Sequence, residues 1–154
     1  MAPKIAPRSS KKYASVEAAA LAGFKKVMTT YPDYTKEEHG FLVVSEVVTV
    51  DGGVMYYRYT EPVSAGEREE INVEIPPLYA PIVRAFCHTH PTGSTYSTQD
   101  FESFKKLEAL TKDNKLKHEI VFYLLRGDGQ VQRSADEKNF FKGEFVDGLD
   151  KAVP

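Results

Sequence analysis

The sequence predicts an α+β domain with a mostly antiparallel or mixed β-sheet and helices packed on it. Three observations carry that prediction. Two segments show apolar residues recurring at helical spacing, and several short runs are rich in β-branched and aromatic residues. These segments come in the order helix, strands, helix, strands, not in strict βαβ alternation. The chain has 154 residues, 42% hydrophobic and 27% charged, which suits one compact domain.

Residues 1–12 carry Lys4, Arg8, Lys11 and Lys12 among Pro and Ser, and read as a flexible basic tail ahead of a single domain over residues 13–154. Residues 16–28 (VEAAALAGFKKVM) predict a helix. Strong helix formers fill it, Ser15 can cap it, and Val16, Ala20, Phe24 and Val27 share a face. Tyr31-Pro32-Asp33 ends it. Residues 40–50 (GFLVVSEVVTV) and 54–60 (VMYYRYT) predict two strands joined at Asp51-Gly52-Gly53, a good hairpin turn. Residues 62–70 read as a polar loop, 71–75 as a short strand closed by Pro76-Pro77, and 82–87 (IVRAFC) as a buried strand. After a small-residue loop at 91–96, residues 98–110 predict a second helix with Phe101, Phe104, Leu107 and Leu110 on one face. Residues 119–126 (EIVFYLLR) predict a strand that turns at Gly127-Asp128-Gly129 into 130–133, and a short helix is expected in the last twenty residues.

Charge and cysteine content narrow the function classes. A net charge of −2 gives no general attraction to nucleic acid or to an anionic membrane. No stretch approaches the roughly 20 apolar residues of a membrane span. The first thirty residues lack the uninterrupted apolar core of a signal peptide. Cys87 is the one cysteine, so no intrachain disulfide can form.

The informative segment runs from Cys87 to Asp100, CHTHPTGSTYSTQD. His88 and His90 are two apart at a strand end, and the period-two geometry of a strand puts both imidazoles on one face. Two neutral imidazoles are half of a zinc site. Pro91 stops the strand, the loop reverses the chain, and Asp100 falls in the first turn of the next helix, within reach of both histidines. Two nitrogens and one carboxylate oxygen leave a fourth tetrahedral position for water, the catalytic arrangement. Such a site needs a base, for which Glu37 and Glu38 are the candidates, and an oxyanion donor, for which Ser97 is placed. Each group also has an ordinary structural role. Ser97 with Asp100 forms a helix-capping pattern that needs no metal, and the two glutamates beside Lys36 read equally as solvated charges. Cys87 is either a small buried hydrophobe or a fourth ligand that would make the site structural.

His-x-His-Pro followed by Ser-x-x-Asp resembles the JAMM (JAB or MPN-type) zinc metalloprotease motif. The resemblance implies a mixed sheet flanked by helices, like that of JAMM and cytidine-deaminase folds. It also implies zinc on His88, His90 and Asp100, and a general acid/base glutamate in a Glu-x-x-Gly-hydrophobic setting. Glu37-Glu38-His39-Gly40-Phe41-Leu42 offers that glutamate: the spacing to Gly40 favours Glu37, His39 in the place of a following aromatic favours Glu38, and the balance falls on Glu37. Over about residues 14–135 the pattern is most similar to the bacterial JAB-like domain of polymorphic and secretion-system toxins. Those domains share an Ala-rich first helix, a Tyr-rich strand ending near Thr-Glu-Pro and a closing strand-Gly-strand hairpin. In two places the chain departs from the family: five residues separate Pro91 from Ser97, where six are commoner, and Cys87 stands where an apolar or aromatic residue is usual.

The resemblance implies hydrolysis of a peptide or isopeptide bond in a protein substrate, and the net charge leads to the expectation of no nucleic-acid or membrane partner. It also implies delivery as an effector without a signal peptide and a cognate immunity protein. A non-catalytic binding module on the same fold is the alternative. A PHP-type phosphoesterase would need many more ligands than His39 and His118 can add, and a zinc deaminase would need Pro-Cys-x-x-Cys. His39 and Tyr96 could line the site but read as packing or turn residues, and His118 as a solvent-facing strand start.

Overall fold

The computed structural model describes residues 11–32, 34–48, 52–64, 82–90, 96–112 and 120–154. Among them are two α-helices and a seven-stranded mixed sheet, the α+β architecture expected. The strand predicted over 71–75, the loop 91–95, His118 and most of the basic tail lie outside the described residues.

Helix α1 (Val16–Thr30) starts where the sequence places it: the Ser15 hydroxyl accepts the Ala18 N–H, and the Tyr31 N–H donates to the Val27 carbonyl at the other end. Ala19, Ala20, Ala22, Phe24 and Val27 are fully buried against one face of the sheet. Gly23 permits the close approach, because a Cβ there would stand 2.3 Å from the Phe41 ring. Leu149 and Ala152 of the C-terminal segment pack on the same core, and Tyr13 reaches across to donate its hydroxyl to the Val153 carbonyl at 2.6 Å.

The hairpin is β1 (His39–Val48) with β2 (Val54–Tyr59), in antiparallel register from Val43↔Tyr59 to Val48↔Val54. Past Tyr59 the chain does not leave the sheet as the polar loop assigned from residue 62 implies. Thr60 takes the Leu42 N–H on its hydroxyl, and β3 (Val63–Ser64) then pairs with His39 and Gly40. On its other side β1 pairs antiparallel with β4 (Val83–Thr89), which runs two residues further than the predicted strand and takes in His88. Strand β4 is parallel to β5 (Val121–Leu125), and helix α2 (Thr98–Lys112) lies between them in sequence, a βαβ crossover. Strands β6 (Val131–Ser134) and β7 (Glu144–Val146) complete the sheet in the order β2-β1-β4-β5-β6-β7. The last twenty residues therefore hold an edge strand as well as the expected helical piece, a single 3-10 turn at Leu149–Lys151.

Helix α2 faces the opposite side of the sheet from α1, over a layer of aromatic rings. Phe104 contacts Phe122 and Phe140 at ring separations of 5.4 and 5.0 Å, and Phe101 contacts Phe140 at 5.3 Å. The Leu107 and Leu110 side chains, expected on the same helix face, fall outside the description. Phe140 is held beneath the helix because its carbonyl receives the Ser134 hydroxyl and the nearby Lys142 carbonyl receives the Gln132 amide.

Candidate metal centre

Strand parity explains how the site residues are sorted. Along β4, Ala85 and Cys87 point into the α1 core, while Phe86 and His88 point toward α2, their rings 5.8 Å apart. His90 follows just past the strand end, its N–H held by the Leu125 carbonyl at 2.9 Å, so its ring stands on the His88 side, 5.0 Å away. The antiparallel register pairs Gly40 with His88 and Phe41 with Cys87. Continued one step off the end of β1, it sets Glu38 opposite His90, and the Glu38 Oε1 is 4.0 Å from the His90 Nε2. The His39 N–H, between them, donates to the Thr89 hydroxyl at 2.9 Å. Both residues of interest leave the sheet at the same end, where strand C-termini meet the start of a crossover helix, a common place for ligand sites in open sheets.

The fourth side chain comes from α2. Ser97 is the residue before the helix, its Oγ accepts the Asp100 N–H at 3.1 Å, and Asp100 Oδ2 accepts the Ser97 N–H at 2.7 Å. This reciprocal capping box is the ordinary role foreseen for the pair, and it aims the carboxylate. Asp100 Oδ1 stands 3.1 Å from His88 Nε2 and Oδ2 stands 3.1 Å from His90 Nε2. Tyr96 anchors the approach to the helix: its hydroxyl lies 2.9 Å from the Phe122 carbonyl and 3.2 Å from that of Gln132, and its ring leans on His88.

Glu38, His88 and His90 are buried, 5%, 2% and 7% exposed. Their donor atoms all lie within 4.8 Å of one another, so this group could hold a metal ion. Asp100 is outside that mutually close trio, yet its oxygens stand 3.1 Å from the Nε2 of both imidazoles, closer to His90 than Glu38 is at 4.0 Å. Burial resists ionisation of Asp100, but the facing His88, the His88 and His90 ring nitrogens and the Ser97 N–H outweigh it and hold the carboxyl well below the usual carboxylate range. The His88–Asp100 approach is short in distance but outside hydrogen-bond geometry, so among the described residues neither buried His88 nitrogen has a hydrogen-bond partner. Because a hydrogen bond weakens steeply off axis, the angle outweighs the distance here.

Against the preference for Glu37 from the spacing to Gly40, the structure brings Glu38 to the imidazoles, because the register of β1 on β4 sets residue 38 opposite His90, while Glu37 is half-buried and not one of the group. Cys87 is fully buried on the α1 face, away from the histidines, and burial pushes its thiol well up, so it is the small hydrophobe and not a ligand among these residues. His39 also turns to the α1 side and stacks on Tyr31 at 4.4 Å, so it does not line the site, whereas Tyr96 does. Sequence reasoning passed over Thr89, although a β-branched hydroxyl between two candidate ligands was the available signal.

Compared with known proteins, the chain matches no family model, and no curated protein or solved structure is significantly similar to it.

Proposed function

We propose that this chain is a zinc-dependent hydrolase of the JAMM type, with His88, His90 and Asp100 as ligands and Glu38 as the general base, acting on a peptide or isopeptide bond. One observation carries the reading: a carboxylate 3.1 Å from the Nε2 of each of two buried histidines, with a second buried carboxylate 4.0 Å from one of them. Donors around a tetrahedral zinc with bonds near 2.1 Å stand about 3.4 Å apart, which the Asp100 approaches match more closely than the Glu38 approach. An imidazole whose two buried nitrogens have no hydrogen-bond partner among the described residues also fits a cation.

Held by His88, His90 and Asp100, zinc would supply a water of pKa near 7 and polarise a carbonyl. The protein's own groups do the rest. Asp100 is fixed by its capping bonds, so it offers its oxygens without reorganisation. Glu38, opposite His90, takes a proton from the attacking water and returns it to the leaving amine. Ser97 Oγ is engaged as an acceptor from the Asp100 N–H, which leaves its hydroxyl proton to support the oxyanion. Cys87 packs on the other side of the sheet and would not be a further ligand. The resemblance to toxin domains extends the proposal to an effector that acts inside a target cell and is restrained by an immunity protein.

The test is metal analysis of the purified protein beside a His88→Ala/His90→Ala variant. About one zinc per chain, lost in the variant, supports the reading. A wild-type chain that takes up no zinc from a buffered zinc solution removes it.

A further inference from the structure

The ladder between β1 and β4 has Cα partners down to Gly40↔His88. The next β1 donor directed at β4 is the His39 N–H, and it is received by a side chain, the fully buried Thr89 hydroxyl at 2.9 Å. His39 is flanked by Glu38 on one side, while Thr89 lies between His88 and His90. This hydrogen bond therefore ties the two strands one step before the residues that meet across the site. On its other side, His39 pairs with Ser64 of β3, a strand of only two residues.

We infer that Thr89 is a positioning residue whose hydroxyl, by receiving the His39 N–H, holds the start of β1 against the end of β4 and so sets where the Glu38 carboxylate stands relative to the two imidazoles. The inference rests on the proposed reading of the site for its consequence, and on the hydrogen bond alone for its geometry. Thr89 touches neither ion nor substrate. Its side chain acts through the backbone of the residue next to Glu38, and a buried N–H deprived of its acceptor forces local rearrangement. Valine matches the shape of threonine but accepts no hydrogen bond, while serine keeps the acceptor and drops a methyl.

The test is a double-mutant cycle on zinc affinity, read by competition titration with zinc alone, joined to amide hydrogen exchange. Removing a charged group just outside the ligand set weakens metal binding about 10- to 100-fold, so Glu38→Gln is expected in that range. Thr89→Val is expected to weaken zinc about 10-fold, to add little on top of Glu38→Gln, and to speed exchange of the His39 amide. Thr89→Ser should bind zinc like wild type and keep that amide protected. If Thr89→Val does not fold, Thr89→Ala carries the same comparison. Full additivity with Glu38→Gln, wild-type zinc affinity in Thr89→Val, loss in Thr89→Ser equal to that in Thr89→Val, or a rapidly exchanging His39 amide in the wild type each overturns the inference. A wild type that binds no zinc, with the His39 amide responding to the variants as described, would instead defeat the metal reading and leave the clamp standing.

Discussion

Asp100→Asn separates the charge of the proposed ligand from its role in the helix cap. Asparagine keeps an oxygen that can accept the Ser97 N–H, the contact Asp100 makes at 2.7 Å, so α2 should start at the same place. The change does remove a negative charge from the first helical turn, worth about 0.3–1 kcal/mol in the metal-free protein. The larger effect falls on zinc. Asp100 approaches both imidazoles at 3.1 Å, so the substitution removes an anionic donor, and an affinity loss of at least about 100-fold is expected, beyond the 10- to 100-fold cost of losing an outer-shell partner. At a free zinc concentration of about 100 times the wild-type Kd, binding stabilises the wild type by about 2.7 kcal/mol. The same zinc stabilises a variant with 100-fold weaker binding by only about 0.4 kcal/mol. For a domain of this size 1 kcal/mol moves Tm by about 2–4 °C, so zinc should raise the wild-type Tm by about 5–11 °C and that of the variant by about 1–2 °C. Differential scanning calorimetry with and without zinc measures both shifts, and comparing each variant with its own metal-free form cancels the cap and dipole terms. An undiminished zinc shift in Asp100→Asn would refute the assignment of Asp100 as ligand and leave Glu38 with the two histidines as the holding group.

Glu38→Gln should retain about one zinc per chain at saturation and lose about 10²- to 10⁴-fold in turnover of a model isopeptide, whereas Glu37→Gln should stay near wild type in both; steady-state kinetics beside metal analysis decides between them. Phe104→Ala, which empties a 3%-exposed position between Phe122 and Phe140, is expected to cost about 3–5 kcal/mol in urea unfolding. Burial pushes the phenols of Tyr59 and Tyr123 up to about 12, above their ordinary value of 10.0. Folding favours the neutral form of each, so their contribution is fully present below about pH 10 and is lost as pH rises through about 12. Ultraviolet difference titration should show these two ionising late, with stability falling over that window.

The histidine pair and its partner helix were legible because two short-range rules act there. Strand parity puts residues 88 and 90 together, and the Ser97–Asp100 spacing writes a capping box whatever else the helix does. The choice between Glu37 and Glu38 was not legible, since β1 is buried on both faces: His39, Phe41 and Val43 face α1, and Leu42 and Val44 face α2. With apolar residues on both sides, alternation carries no sign, and only the register against β4 selects Glu38. Strands β3 and β7, two and three residues long, gave no periodic signal, because they exist by pairing with neighbours far away in sequence. The hydroxyls of Thr60 and Thr89 serve as substitute acceptors for ladder donors, a role that depends on where the neighbouring strand ends.

Helix α2 does not lie directly on the backbone of the sheet; it rides on rings, with Phe140 as the shared middle member. That layer works as a shim. The histidines are fixed in a plank of strands paired along both edges, whereas the aspartate is fixed at a height set by the thickness of the aromatic padding. The gap between these side chains is therefore adjustable from a distance: a bulkier or slimmer ring at 104 or 140 would raise or lower one side of the clasp, and with it the size of any ion the group could hold, leaving the cluster's own side chains untouched.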